Sequence, residues 1–138
     1  MSNTPTKYFL PFVFSCLLLA CNAEKTTYKN GRDIYLAKCA SCHLEDGRGL
    51  GALIPPLAGA DYLVANRNSL PCIIRYGIAD TIVVNGVQYA EQMAGHPELS
   101  DIDIANVLNY IGNSWGNQQT PFQLGELRAM LQSCDTIR

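Results

Sequence analysis

Cys39-Ala40-Ser41-Cys42-His43 sets two thiols three positions apart and an imidazole directly after the second. The chain has 138 residues with six cysteines and two histidines, so chance placement yields this pattern only about 0.004 times per chain. Three chemistries use such a pattern. A dithiol redox pair takes Cys-x-x-Cys beside a strand–helix unit, but here the preceding segment has helical spacing and a histidine follows. A zinc site needs a fourth ligand and usually a second closely spaced ligand pair, which is not found here. The third is covalent attachment of a porphyrin. Each thiol adds across one of two vinyl groups, and the adjacent histidine is placed to bind iron through a ring nitrogen. The spacing favours this c-type haem.

Upstream, residues 1–7 are polar with one positive charge, Lys7, and residues 8–20 are an almost unbroken apolar run. A helix of that length rises only about 20 Å, short of a hydrocarbon core of ~30 Å. A basic start and a short apolar stretch followed by small residues mark an export signal rather than a buried helix, which Pro11 would interrupt. The run ends Leu18-Leu19-Ala20-Cys21. This resembles the lipobox of bacterial lipoproteins, and the resemblance implies cleavage before Cys21 and lipidation of its sulfur; an ordinary signal cleaved nearby is the alternative. Two or more acyl chains anchor stably where one does not. Residues 22–29 are polar and aperiodic, a tether reaching roughly 15 Å.

Composition narrows the function. With 48% hydrophobic and 16% charged residues the chain can bury a core. A formal charge of −2 argues against a nucleic-acid binder that relies on a basic surface.

From Tyr28 to about Asn117 the chain resembles a class I c-type cytochrome. Asn30-Gly31-Arg32-Asp33-Ile34-Tyr35 precedes the haem motif at helical spacing, and Gly31 and Tyr35 match the family positions that pack this helix against the C-terminal one. Tyr110 matches their aromatic partner. Residues 47–59, Gly-Arg-Gly-Leu-Gly-Ala-Leu-Ile-Pro-Pro-Leu-Ala-Gly, match the family loop along the haem edge. In that loop a proline carbonyl accepts a hydrogen bond from the ligand histidine, orienting the ring. Pro55 suits the role by spacing, with Pro56 its near neighbour.

The resemblance also implies a sixth iron ligand. Met93 lies 50 residues beyond His43, in Glu91-Gln92-Met93-Ala94-Gly95, where the family places its axial methionine. His96 is the competitor, and a five-coordinate iron the remaining option. Just before it, residues 81–89 read as two short strands around Asn85-Gly86, a strong hairpin signal. Ser100 then offers an N-cap with Asp103 three residues on and Leu99 poised to staple onto Ile104. Ile104, Val107, Leu108 and Ile111 fall on one helical stripe.

Once Cys16 leaves with the signal, Cys21 takes lipid and Cys39 and Cys42 take haem, Cys72 and Cys134 remain. In an oxidising compartment such a pair suggests a disulfide, worth roughly 4 kcal/mol in the chain-entropy account; two buried thiols are the alternative. Thr120-Pro121 is expected to begin a last helix, with Leu124, Leu127, Leu131 and Cys134 on one face pinned near the helix containing Ile73 and Ile74. Trp115, Arg48 and Arg75 are candidates for the haem propionates or for plain packing and surface roles.

The expected architecture is all-α: a class I cytochrome c fold around one covalent haem c, with a small β-hairpin before the axial methionine and an extra C-terminal helix. Residues 1–20 are the expected lipoprotein signal, 21–29 the lipidated cysteine and tether, 30–117 the cytochrome domain and 118–138 the extension. The implied protein is a periplasmic-side, lipid-anchored carrier of single electrons between redox proteins, not an enzyme, with no nucleic acid and no small-molecule substrate. A haem c subunit of a larger oxidoreductase is the alternative, and a haem sensor with an open distal side the third.

Overall fold

The computed structural model describes residues 28–134; the leader, Cys21 and the tether to residue 27 lie outside the described residues. Helix α1 (Lys29–Lys38) is amphipathic, and its two buried residues, Gly31 and Tyr35, lie one turn apart on the face that meets α5 (Asp101–Gly112). A Cβ on Gly31 would overlap the Asn106 carbonyl, so only glycine admits this approach. The helix begins at Lys29, one residue inside the stretch read as tether.

The start of α5 is fixed by its own sequence. Ser100 Oγ accepts from the Asp103 N–H, and the Asp103 carboxylate accepts from the Ser100 N–H. Leu99 and Ile104, on either side of that cap, are both buried. The expected stripe of Ile104, Val107, Leu108 and Ile111 is the buried face.

Between these helices run α2 (Ala40–His43), α3 (Asp61–Ala65), a short 3-10 turn (Arg67–Ser69) and α4 (Leu70–Tyr76), which opens with Pro71. Strands β2 (Ile82–Val84) and β3 (Val87–Tyr89) form the expected antiparallel hairpin, with Ile82 opposite Tyr89. Asn85 and Gly86 have φ of 51° and 79°, the mirror-image turn that Asn-Gly favours. Asn85 and Asp61 exchange hydrogen bonds of 3.0 and 2.7 Å, clipping the hairpin tip to the start of α3. A second ribbon was not legible in the sequence: β1 (Gly77–Ile78) pairs antiparallel with β4 (Met93–Ala94).

The extra C-terminal helix, α6, spans Leu124–Gln132 and not from Thr120-Pro121 as expected. The physical reason is a tertiary capture: the Asn109 side chain accepts from Phe122 N–H (2.6 Å) and donates to its carbonyl (3.2 Å), holding the backbone extended. Gln123 and Glu126 then supply a capping box and the helix starts. Leu127 and Cys134 are buried on the expected face. The fold is thus mostly helical with two small strand pairs. Among the described residues no helix is long and apolar enough to cross a membrane.

Candidate functional site

Cys39 is at once the C-cap of α1 and the N-cap of α2, and its N–H bonds the Tyr35 carbonyl at 2.8 Å. Cys39, Cys42 and His43 therefore stand at i, i+3 and i+4 of one turn and share a face. The turn is held from behind by three aromatics. Tyr35, Tyr110 and Trp115 pack with ring centroids 5.0–5.5 Å apart, and the Tyr35 hydroxyl donates to the Leu44 carbonyl at 2.6 Å.

His43 is 9% exposed, and its Nδ1 lies 3.1 Å from the carbonyl oxygen of Pro55. A carbonyl only accepts, so Nδ1 carries the proton and Nε2 keeps its lone pair. Burial lowers the His43 pKa, with the Pro55 bond opposing it, which favours the neutral imidazole a metal ligand must be. Burial, helped by Cys42, pushes the Cys39 thiol up to about 11, whereas Cys42 is exposed.

The loop that brings Pro55 to His43 is built by glycine. At Gly49 (φ 70°) a Cβ would strike the carbonyls of Ile54 and Pro55. Gly49 N–H bonds the His43 carbonyl at 3.1 Å, and Leu50 bridges Ile54. Asn117 stitches this loop to the end of α5, donating to the Leu57 and Ile111 carbonyls (2.9 and 2.8 Å) and accepting from Gly59 N–H (2.9 Å).

Cys39, His43, Pro55 and Met93 line one cavity. Its walls are largely aliphatic, from α3, α4, the hairpin and α5, with Tyr62 among them. Met93 reaches it from β4, where it stands opposite Ile78. His96 lines the same cavity; its Nδ1 lies 3.3 Å from Glu98, which also accepts from Lys38 at 3.0 Å. The Glu98 carboxyl is drawn down to about 2, chiefly by its own backbone N–H and then by Lys38 and His96.

The propionate candidates lie elsewhere. Arg75 pairs with Asp101 at 2.8 Å, Arg48 with Asp46 at 3.5 Å, and Trp115 belongs to the aromatic trio, so none of the three lines the cavity. Cys72 and Cys134 are joined as a disulfide away from it, their Cα atoms 5.6 Å apart. Among the described residues no group of three or more His, Cys, Asp or Glu side chains gathers as a zinc site would. The residues present fit a covalently held porphyrin: two thiols on one turn, a neutral imidazole with a free lone pair, a thioether, and an apolar enclosure.

Known proteins agree with that chemistry. The family profile for Cytochrome c matches residues 28–115. Cytochrome c-552 of Thermus thermophilus is 36% identical over 110 residues, covering 73% of this chain and 83% of that one. The cytochrome c subunit of alcohol dehydrogenase (quinone) from Gluconacetobacter polyoxogenes is 40% identical over 90 residues, 64% of this chain but 19% of that protein. The gluconate 2-dehydrogenase cytochrome c subunit of Pantoea cypripedii is 31% identical over 114 residues, 80% of this chain and 25% of that one.

Proposed function

Because the chain belongs to the cytochrome c family, we propose that it is an exported, lipid-anchored monohaem electron carrier that passes single electrons between redox proteins on the periplasmic side of a bacterial membrane. Haem c is its cofactor, and when bound it supplies an iron that changes oxidation state by one electron. Cys39 and Cys42 hold the group by thioether bonds. His43 would hold the iron through Nε2, its ring oriented by Pro55. Met93 would hold it through the thioether, which would raise the reduction potential relative to a second histidine. Held by both side chains, the iron would have no place for a reactant, and the apolar walls would exclude water. The chain then carries electrons and catalyses nothing itself.

The observation behind this reading is that one apolar cavity takes in Cys39, the neutral imidazole of His43 and the thioether of Met93. The test is the visible spectrum of the oxidised protein. A weak far-red thioether–iron band is expected, and it disappears in Met93→Ala while the haem stays covalently attached. A band that persists in that variant removes Met93 as ligand.

The dehydrogenase-subunit relatives favour a second reading, a haem c subunit of a larger oxidoreductase. Native size in mild detergent separates the two. A free carrier migrates alone; a stable stoichiometric partner refutes it.

A further inference from the structure

Helix α6 contributes no residue to the haem cavity, yet it is tied to the segment that carries Met93. The connection runs through α4. On one side α4 gives Leu70, Ile73 and Ile74 to the cavity wall. On the other, Cys72 is bonded to Cys134 just beyond the end of α6. Two further ties reinforce the junction. Arg67 lies 3.7 Å over the Phe122 ring and donates to the Thr120 carbonyl and the Glu126 carboxylate. Arg75 of α4 and Arg128 of α6 share the two oxygens of Asp101, at 2.8 and 3.3 Å.

From α4 the connection to Met93 is made by backbone. The Ile74 carbonyl accepts from His96 N–H at 2.7 Å. The chain leaving α4 becomes β1, which places Gly77 opposite Ala94 and Ile78 opposite Met93. The contact leaves no slack: a Cβ on Gly77 would overlap the Met93 carbonyl, and one on Gly95 would lie 2.5–2.7 Å from the backbone of residues 75–77. Any shift of α4 must therefore move β4 with it.

We infer that α6 and its Cys72–Cys134 disulfide act as a splint that sets the strength of the Met93–iron bond, with Cys72 and Cys134 as positioning residues for that ligand. This rests on the reading of Met93 as the axial ligand. The splint holds α4 against the core, and β1 carries that constraint to β4. An outside ligand reaches the iron only after the thioether leaves, so its apparent affinity reports how readily β4 moves. Releasing the splint makes departure easier and raises that affinity.

The experiment uses the haem-loaded protein and imidazole as the competing ligand, titrated against the oxidised far-red band. Cys72→Ala/Cys134→Ala is expected to bind imidazole about fivefold more tightly or better, the size of an ordinary coupling between sites. Should that variant fail to fold, Arg67→Ala loosens α6 with the disulfide kept and is expected to shift affinity in the same direction. Ile104→Val, buried in α5 but outside the cavity wall, lowers the melting temperature without changing imidazole affinity. If the disulfide or Arg67 variant melts earlier yet binds imidazole within twofold of the unaltered protein, α6 is only packing and the splint is refuted. If the unaltered protein lacks the far-red band, the ligand reading itself fails and takes the splint with it.

Discussion

Gly31→Ala is the sharpest test of how the haem-bearing end of the fold is held. The new methyl would overlap the Asn106 carbonyl and come within 2.8 Å of Tyr110 Cβ. Neither is the tip of a flexible side chain, so α1 and α5 must separate. Forcing a methyl this deep into backbone costs about 2–3 kcal/mol, the upper part of the usual range. Alanine returns up to ~1 kcal/mol through its better helix propensity, leaving a net loss of roughly 1–2 kcal/mol. For a domain of this size that lowers the melting temperature by about 4–15 °C. Separation would also open the 5.4 Å packing of Tyr35 on Tyr110, loosening the turn that carries Cys39 and His43. Gly125→Ala is the matched control. It also lies in a helix, but nothing stands within 4 Å of its added Cβ, so the same change should raise the melting temperature by a few degrees, from up to ~1 kcal/mol of propensity. Far-UV circular dichroism on the haem-loaded protein reads both. If Gly31→Ala melts at or above the unaltered protein, the close approach of α1 and α5 is not what excludes a side chain there.

Two further outcomes are expected. The folded Glu98 carboxyl titrates at about 2 against an ordinary 4.5, so the stability it contributes is full above pH about 4.5 and is lost as pH falls towards 2. Thermal melts of Glu98→Gln should therefore lie below the unaltered protein at neutral pH and converge with it in acid; parallel curves would remove the Lys38–Glu98–His96 cluster from the account. Asn117→Ala deletes three hydrogen bonds that tie the Pro55 loop to α5. At about 1 kcal/mol each the expected loss is roughly 2–3 kcal/mol in a denaturant titration, and a loss under about 0.5 kcal/mol would show the loop to be held otherwise.

Where the sequence was legible, the determining contacts are local. Cys39, Cys42 and His43 lie within one turn, so their spacing alone sets their common face. Ser100 and Asp103 complete each other's hydrogen bonds across three residues, and Asn85-Gly86 carries its turn in its own backbone preference. The second ribbon had no such signal. Two residues at Gly77–Ile78 and two at Met93–Ala94 show no period, and they pair across an intervening segment that includes the hairpin. The start of α6 was misplaced for a related reason: Thr120-Pro121 has the right helix-opening chemistry, but the Asn109 side chain captures Phe122 from a different helix. Local propensity yields to a tertiary contact there.

The same division separates the two sides of the cavity. His43 is fixed by a covalent motif, one helical turn and a loop closed by Pro55 within 12 residues. Met93 lies 50 residues further on, and closing a loop of that length costs on the order of 3 kcal/mol in chain entropy. Long-range contacts must offset that cost, namely β1 on β4, Ile74 on His96 and α4 on α6. A substitution near His43 therefore acts on a side chain that its own turn and the Pro55 loop already fix. One in α4, β1 or α6 acts on Met93, whose placement depends on those long-range contacts. On the proposed ligation, the strength of the methionine bond, and with it the reduction potential, is accordingly the property that residues remote from the cavity are best placed to tune.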